Sequence, residues 1–125
     1  MERVINAEPT ELPFAVETSA LLMIDMQRDF LETGGFGELL GNDVSLLRSA
    51  ICPCQNVLRA ARAVSMMVVH TREGHRPDLT DAPVSKLKRG NLEIGIGDRG
   101  PMGRVLIRGE QGHKIIAELS PTENE

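Results

Sequence analysis

Residues 21–24, Leu21-Leu22-Met23-Ile24, form an unbroken run of large apolar side chains that stops at Asp25. A run this short and continuous reads as a strand over residues 20–25, covered on both faces like a central strand of a parallel sheet. From Val44 the period changes. Val44, Leu47, Ile51, Cys54, Leu58 and Ala61 follow at steps of three or four, which places them on one apolar face of a helix. Asn42 or Asp43 can cap its start. Pro53 falls inside this pattern, so it either kinks the helix or opens a second one at its first turn. Residues 66–71, M-M-V-V-H-T, return to a continuous apolar run and read as a second strand. Strand, helix, strand is a βαβ unit, which is right-handed almost without exception.

The flanks are less regular. Residues 1–19 carry Pro9 and Pro13 and read as an extended lead-in with a short edge strand near residues 14–16. Gly34, Gly35, Gly37 and Gly41 make a turn-rich loop just past the first strand, without a phosphate-binding glycine pattern. Residues 77–101 form a long excursion, packed or lid-like. Residues 105–108 are a candidate third strand and residues 113–119 a candidate short helix. Two strands and a possible third make a thin sheet with few helices, as in the first half of a larger α/β domain.

Composition narrows the function. With 125 residues the chain fits one domain. Eighteen acidic against 14 basic residues give a net charge of −4, and three Phe are the only aromatic side chains. Both facts argue against a nucleic-acid surface, which needs a basic face and stacking rings. No apolar run has the length of a membrane span or the form of a signal peptide, so a cytoplasmic location and no membrane partner are expected. Cys52 and Cys54 flank Pro53. They read as small residues at a helix break or as a reactive thiol, and their spacing fits neither a disulfide framework nor the usual zinc pairs.

Asp25 is the first candidate for chemistry, because ligands of open α/β sheets bind outside the carboxyl ends of the strands. Taken alone, an aspartate here is more often a turn or cap residue. Arg72-Glu73-Gly74-His75 leaves the same sheet edge after the second strand, so both loops face one pocket. His70 reads as a core histidine, and Lys86, Lys88 and Arg89 as a solvated face.

The run L-L-M-I-D-M-Q-R-D-F, followed by V-V-H-T-R-E-G-H-R-P-D-L, resembles the isochorismatase-like cysteine hydrolases, most closely the biuret and ureido-type amidohydrolases. The stretch I-G-D-R-G-P-M-G-R-V-L-I-R-G-E-Q-G-H-K-I-I-A-E-L and the closing P-T-E-N-E fit the same subgroup. The resemblance implies a Rossmann-like three-layer α/β/α fold with a parallel sheet, here incomplete, and a single domain over residues 1–125. It implies a catalytic Asp-Lys-Cys set, with Asp25 as the aspartate. The family's lysine and cysteine match positions past residue 125. Lys114, Cys52 and Cys54 match neither, and the chain is expected to be inactive alone. Ser65 and Asn124 stand where the family often has glycine.

The resemblance further implies a small amide or urea-like substrate, cleaved through a thioester, and no cofactor. Phe30 is expected to line the substrate pocket. Gln27 is expected to bond substrate or backbone, and Arg72, Glu73 and His75 to form a polar pocket wall. Glu73-x-His75 occupies the place of a metal pair in related nicotinamidases, but one carboxylate and one imidazole are a poor metal site and none is expected. A homo-oligomer is expected. Two rival readings stand beside this one. One is a vinyl-ether hydrolase without a cysteine nucleophile. The other is a non-catalytic half-domain serving as an interaction or oligomerisation module.

Overall fold

The computed structural model describes residues 2–90 and 92–125. The lead-in folds as an antiparallel hairpin, β1 (Glu2–Ile5) with β2 (Leu12–Ala15), rather than as an edge strand of the main sheet. Phe14 and Ala15 lie in β2, so the expected strand is present but paired locally.

β3 (Ala20–Ile24) ends on the residue before Asp25. One-turn helices α1 (Arg28–Leu31) and α2 (Phe36–Leu39) follow it. The apolar stripe is divided between α3 (Val44–Arg48) and α4 (Ile51–Ala63). Asp43 caps α3, its carboxylate accepting the Ser45 N–H at 2.9 Å. Pro53 is the third residue of α4, in the first turn, where a missing N–H leaves no hydrogen bond unmade. β4 (Met67–Thr71) lies parallel to β3, with Ala20 opposite Met67 and Ile24 opposite Thr71.

Ile51, Leu58 and Ala61 of α4 pack on Met23 and Val68, joined by Ile116 and Leu119. Burial of each such Leu or Ile stabilises the fold by roughly 1.5–3 kcal/mol. The other face of the two strands is open: Leu22, Ile24 and Met67 are 54%, 60% and 66% exposed. The expected cover on both faces is therefore present on one face only. Of three layers, this chain supplies a two-stranded piece of parallel sheet and the helices on one side.

Beyond β4 the backbone is governed by loops. α5 (Val84–Leu87) buries no residue fully, and β5 (Arg99–Gly100) with β6 (Gly103–Arg104) is a minimal hairpin. The candidate strand at residues 105–108 is not a strand. It makes one parallel bridge, His75 with Ile107, because Leu106 sits at φ +50° and breaks the extended run. The candidate helix at residues 113–119 shrinks to one 3-10 turn, Ala117–Leu119. The preceding backbone is instead extended against residues 26–29: Ile116 N–H donates to Met26 O at 3.0 Å and Arg28 N–H to Lys114 O at 2.9 Å.

Candidate active site

The chain turns sharply at Asp25, which has φ +53°. A residue with a Cβ meets a steric penalty in this region, of about 1–2 kcal/mol, and aspartate is among those that tolerate it best. Two bonds to one side chain hold the turn. Thr71 Oγ1 accepts the Asp25 N–H at 3.1 Å and donates to Asp25 Oδ1 at 2.7 Å. The strand register makes this contact, since Thr71 ends β4 opposite Ile24. Asp25 is half-buried at the carboxyl edge of the sheet.

Because β3 stops at Asp25, Gln27 does not share its side as a continued strand would require. Gln27 is fully buried, and its amide binds backbone. Nε2 donates to Glu73 O at 2.9 Å and to His113 O at 3.1 Å, while Oε1 accepts the Glu73 N–H at 2.6 Å. Of the two partners read for Gln27, substrate or backbone, the structure shows backbone. Gln27 thereby fixes the loop after β4 and the strand-like residues 113–116 relative to the Asp25 turn.

Asp29 was missed in the sequence. It is buried, and its carboxylate accepts the Leu106 N–H at 3.0 Å and the Phe36 N–H. Burial pushes its pKa above the usual carboxylate value, against the pull of these two donors. The signal was a second acidic residue inside the same motif, followed by a glycine-rich loop able to wrap it. His113 was also missed. Its buried ring lies against Gly74, where any Cβ would overlap the imidazole. Burial, then the charges of Arg72 and Arg108, holds its pKa below the usual histidine value.

The remaining expected site residues separate into three environments. Phe30 and Glu73 line a cleft of about 400 Å³, with Phe36, Leu87 and Ile96 on its apolar walls. Glu73 forms an ion pair there with Lys86 of α5, so Lys86 is not simply part of a solvated face. Arg72 is exposed and lines a different groove, of about 290 Å³, with His70 and Glu125. His75 is buried, with Nδ1 3.5 Å from Asp81 Oδ1 and no partner on Nε2 among the described residues. Glu73 and His75 thus face different partners rather than one shared centre. Asp81 is held below the usual carboxylate range, first by the Arg76 N–H and then by Arg108.

His70 binds Glu125 through Nε2 at 3.0 Å, while its Nδ1 is buried without a partner among the described residues. Arg62 grips Glu125 through two bonds of 2.7 Å and holds that carboxyl far below its usual range. Cys54 packs on the α4 core, and Cys52 and Lys114 are exposed, so none of the three joins Asp25. Among the described residues, no helix is long and apolar enough to cross a membrane.

Residues 19–125 match the model of the isochorismatase domain. The ureidoacrylate amidohydrolase RutB of Klebsiella pneumoniae strain 342 is 31% identical, over 97% of this chain and 53% of its own length. RutB of Yersinia enterocolitica is 29% identical, over 94% of this chain and 53% of its own. Among solved structures, an isochorismatase family protein from Desulfovibrio vulgaris superposes with a TM-score of 0.59 at 30% identity, covering 85% of this chain and 48% of that one. The chain spans about half the length of the relatives it matches.

Proposed function

From a chain that belongs to the isochorismatase domain family, we propose the N-terminal half of a cysteine amidohydrolase that cleaves a C–N bond in a small amide or urea-like compound. The observation that carries this reading is the Asp25 turn. A half-buried carboxylate stands at the carboxyl edge of a parallel sheet, with Thr71 holding one oxygen and leaving Oδ2 to take a proton. The similarity to two ureidoacrylate amidohydrolases supports a ureido substrate.

In this reading Asp25 takes the proton of a cysteine thiol, a nucleophile largely protonated at neutral pH unless a base attends it. The thiolate attacks the carbonyl carbon. The C–N bond breaks as Asp25 returns the proton to the leaving nitrogen, releasing ammonia or an amine and leaving a thioester. Asp25 then deprotonates water, which attacks the thioester carbonyl and frees the thiol. A neighbouring lysine keeps Asp25 ionised. This chain contributes Asp25. The family's lysine and cysteine match no residue within it.

Ammonia release from biuret and 3-ureidopropionate tests the reading. The 125-residue chain alone is expected to release none. The product of the whole reading frame, if it carries the lysine and a cysteine at a strand-to-helix turn, is expected to release ammonia and to lose this with Asp25→Asn. Turnover by the short chain would overturn the incomplete catalytic set. Unchanged turnover in Asp25→Asn would overturn the role of Asp25.

The open face of β3 and β4 favours a second reading alongside the first. Parallel sheets are normally covered on both sides, and apolar patches of this kind mark contact surfaces. The same face therefore serves the association expected of the chain, including assembly with further copies.

A further inference from the structure

We propose that the outer edge of β1 is a contact surface for a second copy of this chain, which adds its own β1 antiparallel across a twofold axis. This goes beyond the hydrolase reading and uses neither Asp25 nor the open face of β3 and β4. Among the described residues β1 and β2 pair only with each other. A two-stranded hairpin is marginal in water unless something packs on it or extends it. Here the packing is incomplete. Val4, Ile5 and Leu12 are 60%, 48% and 54% exposed, and a cleft of about 560 Å³ lies between the hairpin and Val57 and Ala60 of α4.

The two edges of the hairpin differ. Val4 stands opposite Pro13, Arg3 opposite Phe14 and Ile5 opposite Leu12. Proline has no N–H to give, so Arg3 with Phe14 and Ile5 with Leu12 are the pairs that exchange bonds in this ladder. The peptide groups of Glu2 and Val4 therefore point away from β2, and they take no partner among the described residues. On the other edge an outward position is Pro13 itself, which blunts β2 against strand addition. The edge left for a partner is β1.

Outward peptide groups alone would accept any extended segment. The side chains of β1, Glu2–Ile5, fit a second copy through one twofold register. With Val4 opposite Val4 of the partner subunit, outward peptide groups meet and exchange bonds. Arg3 then faces the partner's Ile5, and Glu2 faces the partner's Asn6, so no like charges are opposed. A centre on Glu2 or Arg3 opposes like charges, which is destabilising. A centre on Ile5 leaves a single pair within the two strands. In the register centred on Val4, Pro13 and Val4 of both copies make one apolar row. On the other face the stem of Arg3 lies across the partner's Ile5 and covers it.

The test reads the register by cross-linking. The native thiols, Cys52 and Cys54, are first removed as Cys52→Ser and Cys54→Ala. Arg3→Cys and Ile5→Cys chains are then mixed and oxidised. A mixed disulfide is expected, because the Cα atoms of a non-exchanging pair lie about 4.5 Å apart, within disulfide reach. Each variant alone is expected to cross-link at least roughly tenfold less, its thiols being out of register. Mass spectrometry identifies the products. In sedimentation the parent is expected to be a dimer. Val4→Pro removes an N–H used only between copies, and is expected to weaken that dimer roughly tenfold or more with an unchanged circular dichroism spectrum. If Val4→Pro alters that spectrum, the cross-link alone decides. A monomeric parent overturns the proposal, as do mixed chains that cross-link no better than either alone. A dimer indifferent to a folded Val4→Pro also overturns it and moves association elsewhere, as to the open face of β3 and β4. Ammonia release plays no part, so the hydrolase reading stands or falls separately.

Discussion

The Thr71 hydroxyl serves Asp25 twice, accepting from its N–H at 3.1 Å and donating to its Oδ1 at 2.7 Å. A strained backbone persists only where its surroundings over-determine it, and here one hydroxyl provides much of that restraint. Thr71→Val keeps the shape and removes both bonds. It is expected to destabilise the chain by about 1–2 kcal/mol, while Thr71→Ser stays near the parent. Urea denaturation of the three proteins checks this, and equal midpoints for parent and Thr71→Val would refute it.

Gln27 makes a sharper prediction through its two polar ends. Gln27→Ala strands the Glu73 N–H, the Glu73 carbonyl and the His113 carbonyl in a buried place. The expected loss is roughly 3–5 kcal/mol. Gln27→Glu keeps the acceptor for the Glu73 N–H but turns a carboxylate oxygen toward two carbonyl oxygens. It should be as damaging as alanine at neutral pH and partly recover in acid, where a protonated carboxyl can donate. Thermal melts at two pH values distinguish the variants.

His113 gives the fold a pH dependence. Burial and the nearby arginines lower its pKa in the folded chain, so the unfolded chain binds its proton more readily. Stability from this residue is complete above the ordinary histidine value of about 6.5, and is lost progressively as pH falls from there toward the lowered folded value. The urea midpoint should drop between about pH 7.5 and about pH 5.5, with a shallower drop in His113→Asn. Equal slopes in both proteins would assign the dependence elsewhere.

Gly112 lies against the Asp29 carboxylate, where a Cβ would overlap both oxygens. Gly112→Ala must therefore displace Asp29 from the Leu106 and Phe36 N–H groups. A loss of about 2–4 kcal/mol is expected, and strong non-additivity with Asp29→Ala, since both changes break the same contacts. Additive losses in a double-mutant cycle would show that Asp29 does not bracket these loops.

The elements legible in the sequence were those with a period. The runs at residues 21–24 and 67–70 and the Ile51–Leu58–Ala61 stripe each declared themselves, and so did Asp25 at a strand end. What stayed illegible depended on contacts between distant loops. For Gln27 the choice between substrate and backbone stayed open, because its partners, the Glu73 and His113 peptides, are brought to it by folding alone. Residues 105–108 looked like a strand because Val105, Leu106 and Ile107 are apolar. Their burial is real, but Asp29 and His75 hold Leu106 at positive φ and no ladder forms. Arg89 is exposed, as read, but the cleft it lines could not be seen, because that cleft is built from residues nearly sixty positions earlier as well as from its neighbours.

The Gln27 clamp also sets an order of events. Its bonds reach residues 46 and 86 positions further along the chain. Contacts of such separation close late, after local turns and helices have formed. During synthesis β3 leaves the ribosome long before His113 does, and until then the peptide groups that Gln27 binds are missing or unplaced. The motif that opens the domain is therefore shaped among the last, and a nascent chain halted before residue 113 carries Asp25 without its finished turn.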